Sequence, residues 1–230
     1  MQLTSDLAKT YLRYLVVVTV LAAIVFAPLL YLGLEIPVPA DLDHARGVVR
    51  TAWLLVGLSV APVLVLVGGV TPAVRSIVDG KPLSQLRALT AGLRGLVRAA
   101  VPCAVVVLAT LIGSLALALP GLAALALLAL AGATADTDGD LAARLSAAAR
   151  AAKPRLLGVI AILVATAAAF VGGTFALQHR LPIPLPKVPT PEHFATFRLF
   201  ARYAIAGVAL ISPLPAIALA AIAARARPSA

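Results

Sequence analysis

The residues of this chain that could do chemistry are few, and most of them lie between apolar runs. The most suggestive pattern is the acidic run Asp-Thr-Asp-Gly-Asp at 136–140, which is similar to the start of a calcium-binding loop. Such a loop needs glycine at its sixth position and glutamate at its twelfth. Those positions hold Leu141 and Ala147, so we interpret the run as a helix N-cap with carboxylates at the positive helix end.

The three histidines, His44, His179 and His193, are the other residues that could bind a metal ion. They fall in connections between apolar runs with carboxylates nearby in the sequence, and these side chains can bind divalent metals. No two of them have the spacing that places ligands on one helix face, so we predict no metal site. The single cysteine, Cys103, lies in an apolar run, where a thiol usually packs inertly.

Motifs for catalysis are also missing from the sequence. It has no glycine-rich phosphate loop, nucleophile elbow or zinc-protease motif. The apolar runs hold scattered hydroxyls, such as those of Thr110 and Thr166, and such groups usually bond back to their own helix. We therefore predict a protein that is not an enzyme, with no catalytic residue and no cofactor.

Basic residues follow a helical pattern in the segment 83–98. At about 100° per residue, Arg87, Arg94 and Arg98 fall within roughly 40° of one another, and leucines occupy the far side. This pattern predicts an amphipathic helix at the cytoplasmic interface, with its arginines at the level of lipid phosphates. The alternative is a charged connector that only anchors the topology.

A second basic segment, 140–155, repeats this plan before a later apolar run. Leucines and alanines share one face by helical spacing, and arginine and lysine supply the charge. The residues that we expect to contact lipid headgroups in the two segments are Arg87, Arg94, Arg98, Arg150, Lys153 and Arg155.

Composition indicates the solvent in which the chain folds. Of its 230 residues, 62% are hydrophobic and 12% are charged. A soluble protein is about 25% charged, because a surface in water needs charge, whereas a surface in lipid does not. The net charge of +10 would suggest nucleic acid in a soluble protein. Here the basic residues lie in connections, so we predict anionic lipid headgroups as the partner and no nucleic acid.

Long runs of Ala, Leu and Val predict an all-α, polytopic integral membrane protein with one transmembrane domain over 1–230 and about six crossings. The stretch 99–133 has no charge and is too long for one crossing, so we predict a hairpin that turns near Pro120. A re-entrant loop or one long tilted helix is the alternative. The predicted crossings are 14–34, 52–70, 99–117, 120–134, 156–178 and 199–224. Kinks are predicted at Pro62, Pro213 and Pro215.

The distribution of Lys and Arg predicts the orientation. With six crossings and a cytoplasmic N-terminus, 13 of the 19 basic residues fall on the cytoplasmic side and 6 on the outer side. This bias obeys the positive-inside rule, so we predict a bacterial inner-membrane protein with both termini in the cytoplasm.

Three segments resemble a six-helix bacterial membrane domain that is fused to glycerophosphodiester phosphodiesterases in some proteins and stands alone in others. They are the entry into the first run (7–28, with Tyr-Leu-Arg-Tyr at 11–14), Gly-Lys-Pro-Leu-Ser at 80–84, and the Ala-rich basic segment 141–155. Scarce aromatics and the proline-rich connection 180–198 depart from the family pattern. The resemblance implies a fold and a membrane location. It implies no activity, because the membrane domain has no defined chemistry and we find no phosphodiesterase domain here.

The sequence therefore favours a scaffold or accessory subunit, in which a membrane-protein partner or a second copy packs against this chain. A small permease or lipid-handling protein, with helices broken by proline, is the alternative. Two series of small residues at every fourth position could bring helices close together. They are Ala161, Ala165, Ala169 and Gly173 in one run, and Ser212, Ala216, Ala220 and Ala224 in another.

Overall fold

A computed structural model of the chain describes residues 2–35, 58–116, 118–180 and 191–226, which form helices joined by short turns. The helices are α1 (Gln2–Leu34), α2 (Val60–Val78), α3 (Gln85–Ala116), α4 (Ala118–Leu128), α5 (Leu141–Ala152), α6 (Leu156–Arg180), α7 (Pro191–Ile211) and α8 (Pro213–Ala224). A 3₁₀ turn, Lys153–Arg155, joins α5 to α6. Five stretches of the described helices are long and apolar enough to cross a membrane. The prediction of an all-α, multi-pass membrane protein is thereby confirmed.

Helices α2 and α8 form the middle of the bundle. Helix α2 packs against α1, α3 and α8, and α8 also packs against α1 and α6. Of the 18 most apolar consecutive residues in α2, 61% are buried. The same share is only 6% in the stretch Leu141–Gly173, which contains most of α6. Helix α6 therefore lies at the periphery and exposes apolar side chains such as Leu157 and Val164. Such a surface suits contact with lipid, because the helix satisfies its own backbone hydrogen bonds.

Glycines bring α2 and α3 into close contact. A Cβ on Gly68 would lie 2.5 Å from the Ala99 Cβ, and a Cβ on Gly95 would lie 2.4 Å from the Gly68 carbonyl oxygen. Gly132, which follows α4, closes the same contact, since a Cβ there would lie 2.6 Å from the Leu64 carbonyl oxygen. Lipid gives helices little hydrophobic drive to associate, so close packing at small residues holds them together. Because Gly68 lies about halfway along α2, this contact fills the middle of the bundle.

The charge-free stretch 99–133 folds back on itself, but its two arms differ. Helix α3 continues without a break from the basic segment into the apolar one, so 83–98 is not a separate helix. The return arm is helical only in α4, whose 11 residues span about 16 Å at ~1.5 Å per residue. Turns from Ala129 onward complete the return to Asp136, which lies beside Arg98. The predicted helical crossing 120–134 is thus replaced by a short helix followed by turns.

Two features make this irregular arm possible. Leu130 and Ala131 are buried, and backbone that is not helical is tolerated at membrane depth when protein surrounds it. Pro120 and Gly121 do not form the predicted turn, because both lie near the start of α4. The first N–H groups of a helix have no partner within it, so a proline there costs no hydrogen bond. Gly121 packs on α3, since a Cβ there would lie 2.7 Å from the Thr110 carbonyl oxygen.

The second predicted crossing ends later in the chain than predicted. Helix α2 runs from Val60 to Val78, whereas the predicted crossing was 52–70, and residues 52–57 lie outside the described residues. The apolar pattern underestimated the C-terminal end because Thr71 and Ser76, although polar, are buried in α2. Their hydroxyls donate to the Val67 and Ala73 carbonyl oxygens at 2.6 and 2.7 Å.

Pro62 is the third residue of α2. Leu58 before it is also helical and Ser59 keeps helical angles (φ −62°, ψ −13°), while residues 36–57 lie outside the described residues. The kink at Pro62 therefore stays a prediction.

Ser212 separates α7 from α8 at the two prolines of the last apolar run. Pro213 is the first residue of α8 and Pro215 the third. The Ser212 backbone keeps helical angles (φ −53°, ψ −30°), and its hydroxyl donates to the Ala209 carbonyl oxygen at 2.9 Å. The predicted crossing 199–224 is thus divided, and the two helices together supply one apolar stretch, Arg202–Ala224.

Candidate functional site

Many of the described basic residues gather at one end of the bundle, which we call the basic end. Hydrogen bonds between distant segments define it: Gln85 Nε2 donates to the Arg13 carbonyl oxygen, and Arg155 donates to the Arg225 carbonyl oxygen at 2.7 Å. The Thr134 hydroxyl donates to the Arg144 carbonyl oxygen at 3.2 Å. The basic residues of this end are Arg13, Arg75, Lys81, Arg87, Arg94, Arg98, Arg144, Arg150, Lys153, Arg155 and Arg225.

A glycine turn forms the junction between α2 and α3 at this end. Gly80 has a φ of +67°, a region that glycine enters without steric cost and other residues rarely adopt. Its N–H donates to the Ile77 carbonyl oxygen at 3.1 Å, and the Lys81 N–H donates to the Ser76 carbonyl oxygen at 2.9 Å. The last carbonyls of α2 are thereby satisfied, and the chain reverses into α3.

Asp136 connects α2 to α3 through two arginines. Arg75 Nη1 lies 2.8 Å from one carboxylate oxygen, and Arg98 Nη1 lies 3.3 Å from the other. Arg75 also donates through Nη2 to the Ala133 carbonyl oxygen at 2.6 Å, and its side chain is only 18% exposed. The Arg98 side chain is 59% exposed. Exposed ion pairs contribute little to stability, so the Arg75–Asp136 pair is the stronger link between the turn after α4 and α2.

A cavity of about 450 Å³ opens beside these arginines. Residues from α2, the glycine turn, α3 and the turn after α4 line it: Pro72, Arg75, Ser76, Asp79, Lys81, Leu83, Ala91, Arg94, Gly95, Arg98 and Asp136. Four of these residues are basic and two are acidic, which leaves a surplus of two positive charges. In the part of the chain that the structure describes, no carboxylate lies within ion-pairing distance of Lys81 or Arg94.

Tyr14 holds the N-terminal part of α1 against this cavity region. Its backbone departs from helical angles (φ −114°, ψ 22°), and α1 is kinked there. The side chain is fully buried, and its hydroxyl donates to the Leu83 carbonyl oxygen at 3.0 Å. The hydroxyl also lies 3.0 Å from Ser76 Oγ, within hydrogen-bond distance. One phenol thus connects α1, α2 and the turn into α3.

The structure separates the six predicted headgroup contacts into two groups. Arg94 and Arg98 line the cavity, and Arg87 is exposed on the same helix outside it. The other three lie in the second basic segment, where Arg155 is half-buried against α8. Arg150 Nε donates to Ser146 of its own helix at 3.4 Å, and Lys153 is exposed. Sequence periodicity missed Arg75, Lys81 and Asp136, because the contacts of these residues depend on segments far apart in the chain.

The acidic run 136–140 has two roles. Asp140 is the N-cap of α5, as predicted, because its carboxylate accepts from the Ala143 N–H at 2.8 Å. Asp136 instead binds the two arginines described above. Thr110 and Thr166 bond back to Val106 and Ile162 of their own helices, which confirms the prediction for these hydroxyls.

Metal binding by the histidines falls outside what the structure describes. His44 lies outside the described residues, as do the side chains of His179 and His193 and the connection 181–190. Among the side chains that were described, no three His, Cys, Asp or Glu residues form a group that could hold a metal ion.

The two series of small residues lie in different surroundings. Ser212, just before α8, and Ala216 and Ala220 within it are buried in the bundle. In α6, Ala161 and Ala165 are exposed, like the rest of that series. The α8 series therefore packs within the chain, and the α6 series faces outward.

Comparison of the chain with protein-family models, with curated proteins and with solved structures gives no match. The resemblance to the six-helix membrane domain therefore stays a prediction.

Proposed function

We propose that this protein is a non-enzymatic scaffold or accessory subunit of the bacterial inner membrane. The observation that carries the proposal is the division of the molecule into an apolar bundle and a basic end. Glycine contacts close the middle of the bundle, and many of the described basic residues collect at the basic end. A molecule divided in this way keeps one orientation in the membrane and presents its surfaces to a partner. The hydroxyls of Thr71, Thr110 and Thr166 donate to carbonyl oxygens of their own helices.

The same contacts count against the alternative of a small permease. Alternating access needs helices that separate around a central site. Here Gly68 and Gly95 approach so closely that a methyl group does not fit between them.

The orientation follows from the basic end. Lys and Arg are retained on the cytoplasmic side of the inner membrane, where anionic headgroups attract them. We place the basic end, and with it both termini, in the cytoplasm. Arg87, Arg94 and Arg98 then lie at the level of the headgroups.

The surface for a partner is α6. It is the least buried of the apolar stretches, and its small residues Ala161, Ala165 and Ala169 are exposed. A transmembrane helix of another protein, or of a second copy of this chain, can approach such a surface closely.

Purification from native membranes tests the proposal. A tagged protein is extracted in mild detergent, and the proteins recovered with it are quantified by mass spectrometry. We expect one membrane protein, or a second copy, in a fixed ratio that survives reciprocal purification with the tag on the partner. A chain that purifies alone and moves a solute across reconstituted vesicles would overturn the proposal.

A pair of variants locates the contact. Ala165→Leu places a bulky side chain on the exposed surface of α6, and Ala104→Leu makes the same change on an exposed position of α3. We expect the first to release the partner and the second to leave the ratio unchanged. If both variants retain the partner equally, α6 is not the contact surface.

A further inference from the structure

The cavity at the basic end carries a surplus of positive charge that the described protein does not neutralise. Asp136 serves Arg75 and Arg98, and Asp79 is the only other carboxylate in the lining. Lys81 and Arg94 therefore face a shared space without a carboxylate partner among the described residues. The two positive charges repel each other across this space, and a bound anion would attract both of them.

The position and size of the cavity indicate the kind of anion. Arg94 and Arg98 are the last charged residues before the charge-free part of α3, so the cavity lies where the apolar layer ends. Its volume of about 450 Å³ exceeds the space that a simple ion requires and falls in the range of small-molecule sites, roughly 300–1,000 Å³. A phosphate that carries a small polar group matches this size and this charge.

The donors are also suited to phosphate. A guanidinium offers paired N–H groups in a plane, and a lysine ammonium acts as a point charge. Asp136 and the Ala133 carbonyl oxygen hold Arg75 in place, so its guanidinium is a fixed part of the cavity wall. The exposed Lys81 and Arg94 supply the charge that Asp136 does not pair with.

We propose that this cavity binds one phosphate-bearing anion, with Lys81 and Arg94 as its main ligands and Arg98 at its edge. The phosphate belongs either to an anionic phospholipid headgroup or to a soluble phosphate compound, and the chemistry of recognition is the same for both. This inference goes beyond the proposed function and rests on it only in placing the basic end at the headgroup level.

The test uses the whole purified chain in nanodiscs of phosphatidylcholine. One arm titrates inorganic phosphate and follows the thermal transition of the protein. The other arm adds phosphatidylglycerol to the nanodiscs and counts retained lipid by native mass spectrometry. We compare the wild type with the double variant Lys81→Gln/Arg94→Gln. The matched control, Lys9→Gln/Arg13→Gln, removes the same charge from exposed positions outside the cavity.

The cavity variant should weaken binding by roughly tenfold or more, which is about 1.4 kcal/mol, while the control keeps most of the affinity. Asp79→Asn removes a negative charge from the cavity and should tighten binding. This third variant keeps the test valid if the double variant folds poorly. Retention of phosphatidylglycerol alone would assign the headgroup, and a response to inorganic phosphate alone would assign a soluble ligand.

Equal losses in the cavity variant and the control would overturn the proposal, because they would show attraction to the overall charge of the basic end. No binding in either arm by the wild type would also overturn it. Both outcomes are independent of the proposed scaffold role, since the purified protein is measured without a partner.

Discussion

Gly95 of α3 lies directly against Gly68 of α2, so that a Cβ on Gly95 would come within 2.4 Å of the Gly68 carbonyl oxygen. The neighbour in this contact is backbone, which cannot rotate away as a flexible side chain can. Gly92 repeats the contact one turn earlier, since a Cβ there would lie 2.8 Å from the Gly69 carbonyl oxygen. The distance between α2 and α3 is therefore set by the absence of side chains along one line.

Replacing Gly95 with alanine should destabilise the fold. The added methyl group must push α2 and α3 apart, and overpacking of this kind costs about 1–3 kcal/mol. Reversible unfolding in mixed micelles, followed by circular dichroism, measures the change. Gly207→Ala on α7 is the control, because nothing lies within 4 Å of its Cβ position and alanine favours the helix. A Gly95→Ala variant as stable as the control would contradict the close packing.

Removing the hydroxyl of Tyr14 should loosen the N-terminal part of α1. Tyr14→Phe keeps the buried ring but deprives the Leu83 carbonyl oxygen of its donor and Ser76 of its neighbour. We expect a loss of about 1 kcal/mol in the free energy of unfolding, the usual net value of one hydrogen bond. Tyr203→Phe, at a side chain that is 50% exposed, should change stability little. Faster hydrogen exchange before Tyr14 than after it would locate the effect, whereas equal stability of both variants would argue against this anchor.

The helical, multi-pass fold could be predicted from the sequence because one physical rule dominates it. Runs of Ala, Leu and Val with 12% charge overall fit a hydrocarbon environment, and a helix satisfies every backbone hydrogen bond within one such run. The N-cap at Asp140 and the division at Ser212 are similarly local, since each depends on residues within one turn.

The boundaries and the cavity could not be predicted, because they depend on contacts between distant segments. Helix α2 extends to Val78 because Tyr14 lies against Ser76 and Asp136 pairs with Arg75. The apolar pattern showed only that Thr71, Arg75 and Ser76 are polar, which suggested an earlier end. For the same reason, the periodicity of α3 identified Arg94 and Arg98 but not Lys81, which the glycine turn places beside them.

Arg202 of α7 should stabilise the far end of α1. Its Nε donates to the Gly33 carbonyl oxygen at 3.0 Å, and its Nη2 donates to the Leu34 carbonyl oxygen. These carbonyls have no partner within their own helix, because the last four of any helix lack one. Arg202→Gln should cost about 1–2 kcal/mol, toward the low end for charged hydrogen bonds at a partly exposed site.

Hydrogen exchange in the last turn of α1 measures that loss, since the turn should fray when the guanidinium is gone. Arg198→Gln removes the same charge four residues earlier, where the described part shows no hydrogen bond to the side chain. Identical exchange rates in the two variants would mean that Arg202 acts through its charge and not through these hydrogen bonds.

Chemical labelling should place the basic end in the cytoplasm. Lys81 is exposed at that end, and Glu35 is exposed beyond the other end of α1. Cysteines at these two positions would therefore be open to solvent on opposite sides of the membrane. The native Cys103 is buried, and the wild type therefore serves as the unlabelled control. In intact spheroplasts, a membrane-impermeant maleimide should label Glu35→Cys and spare Lys81→Cys until the cells are lysed. The reverse pattern would invert the orientation, and labelling of both from outside would show that α1 does not cross the membrane.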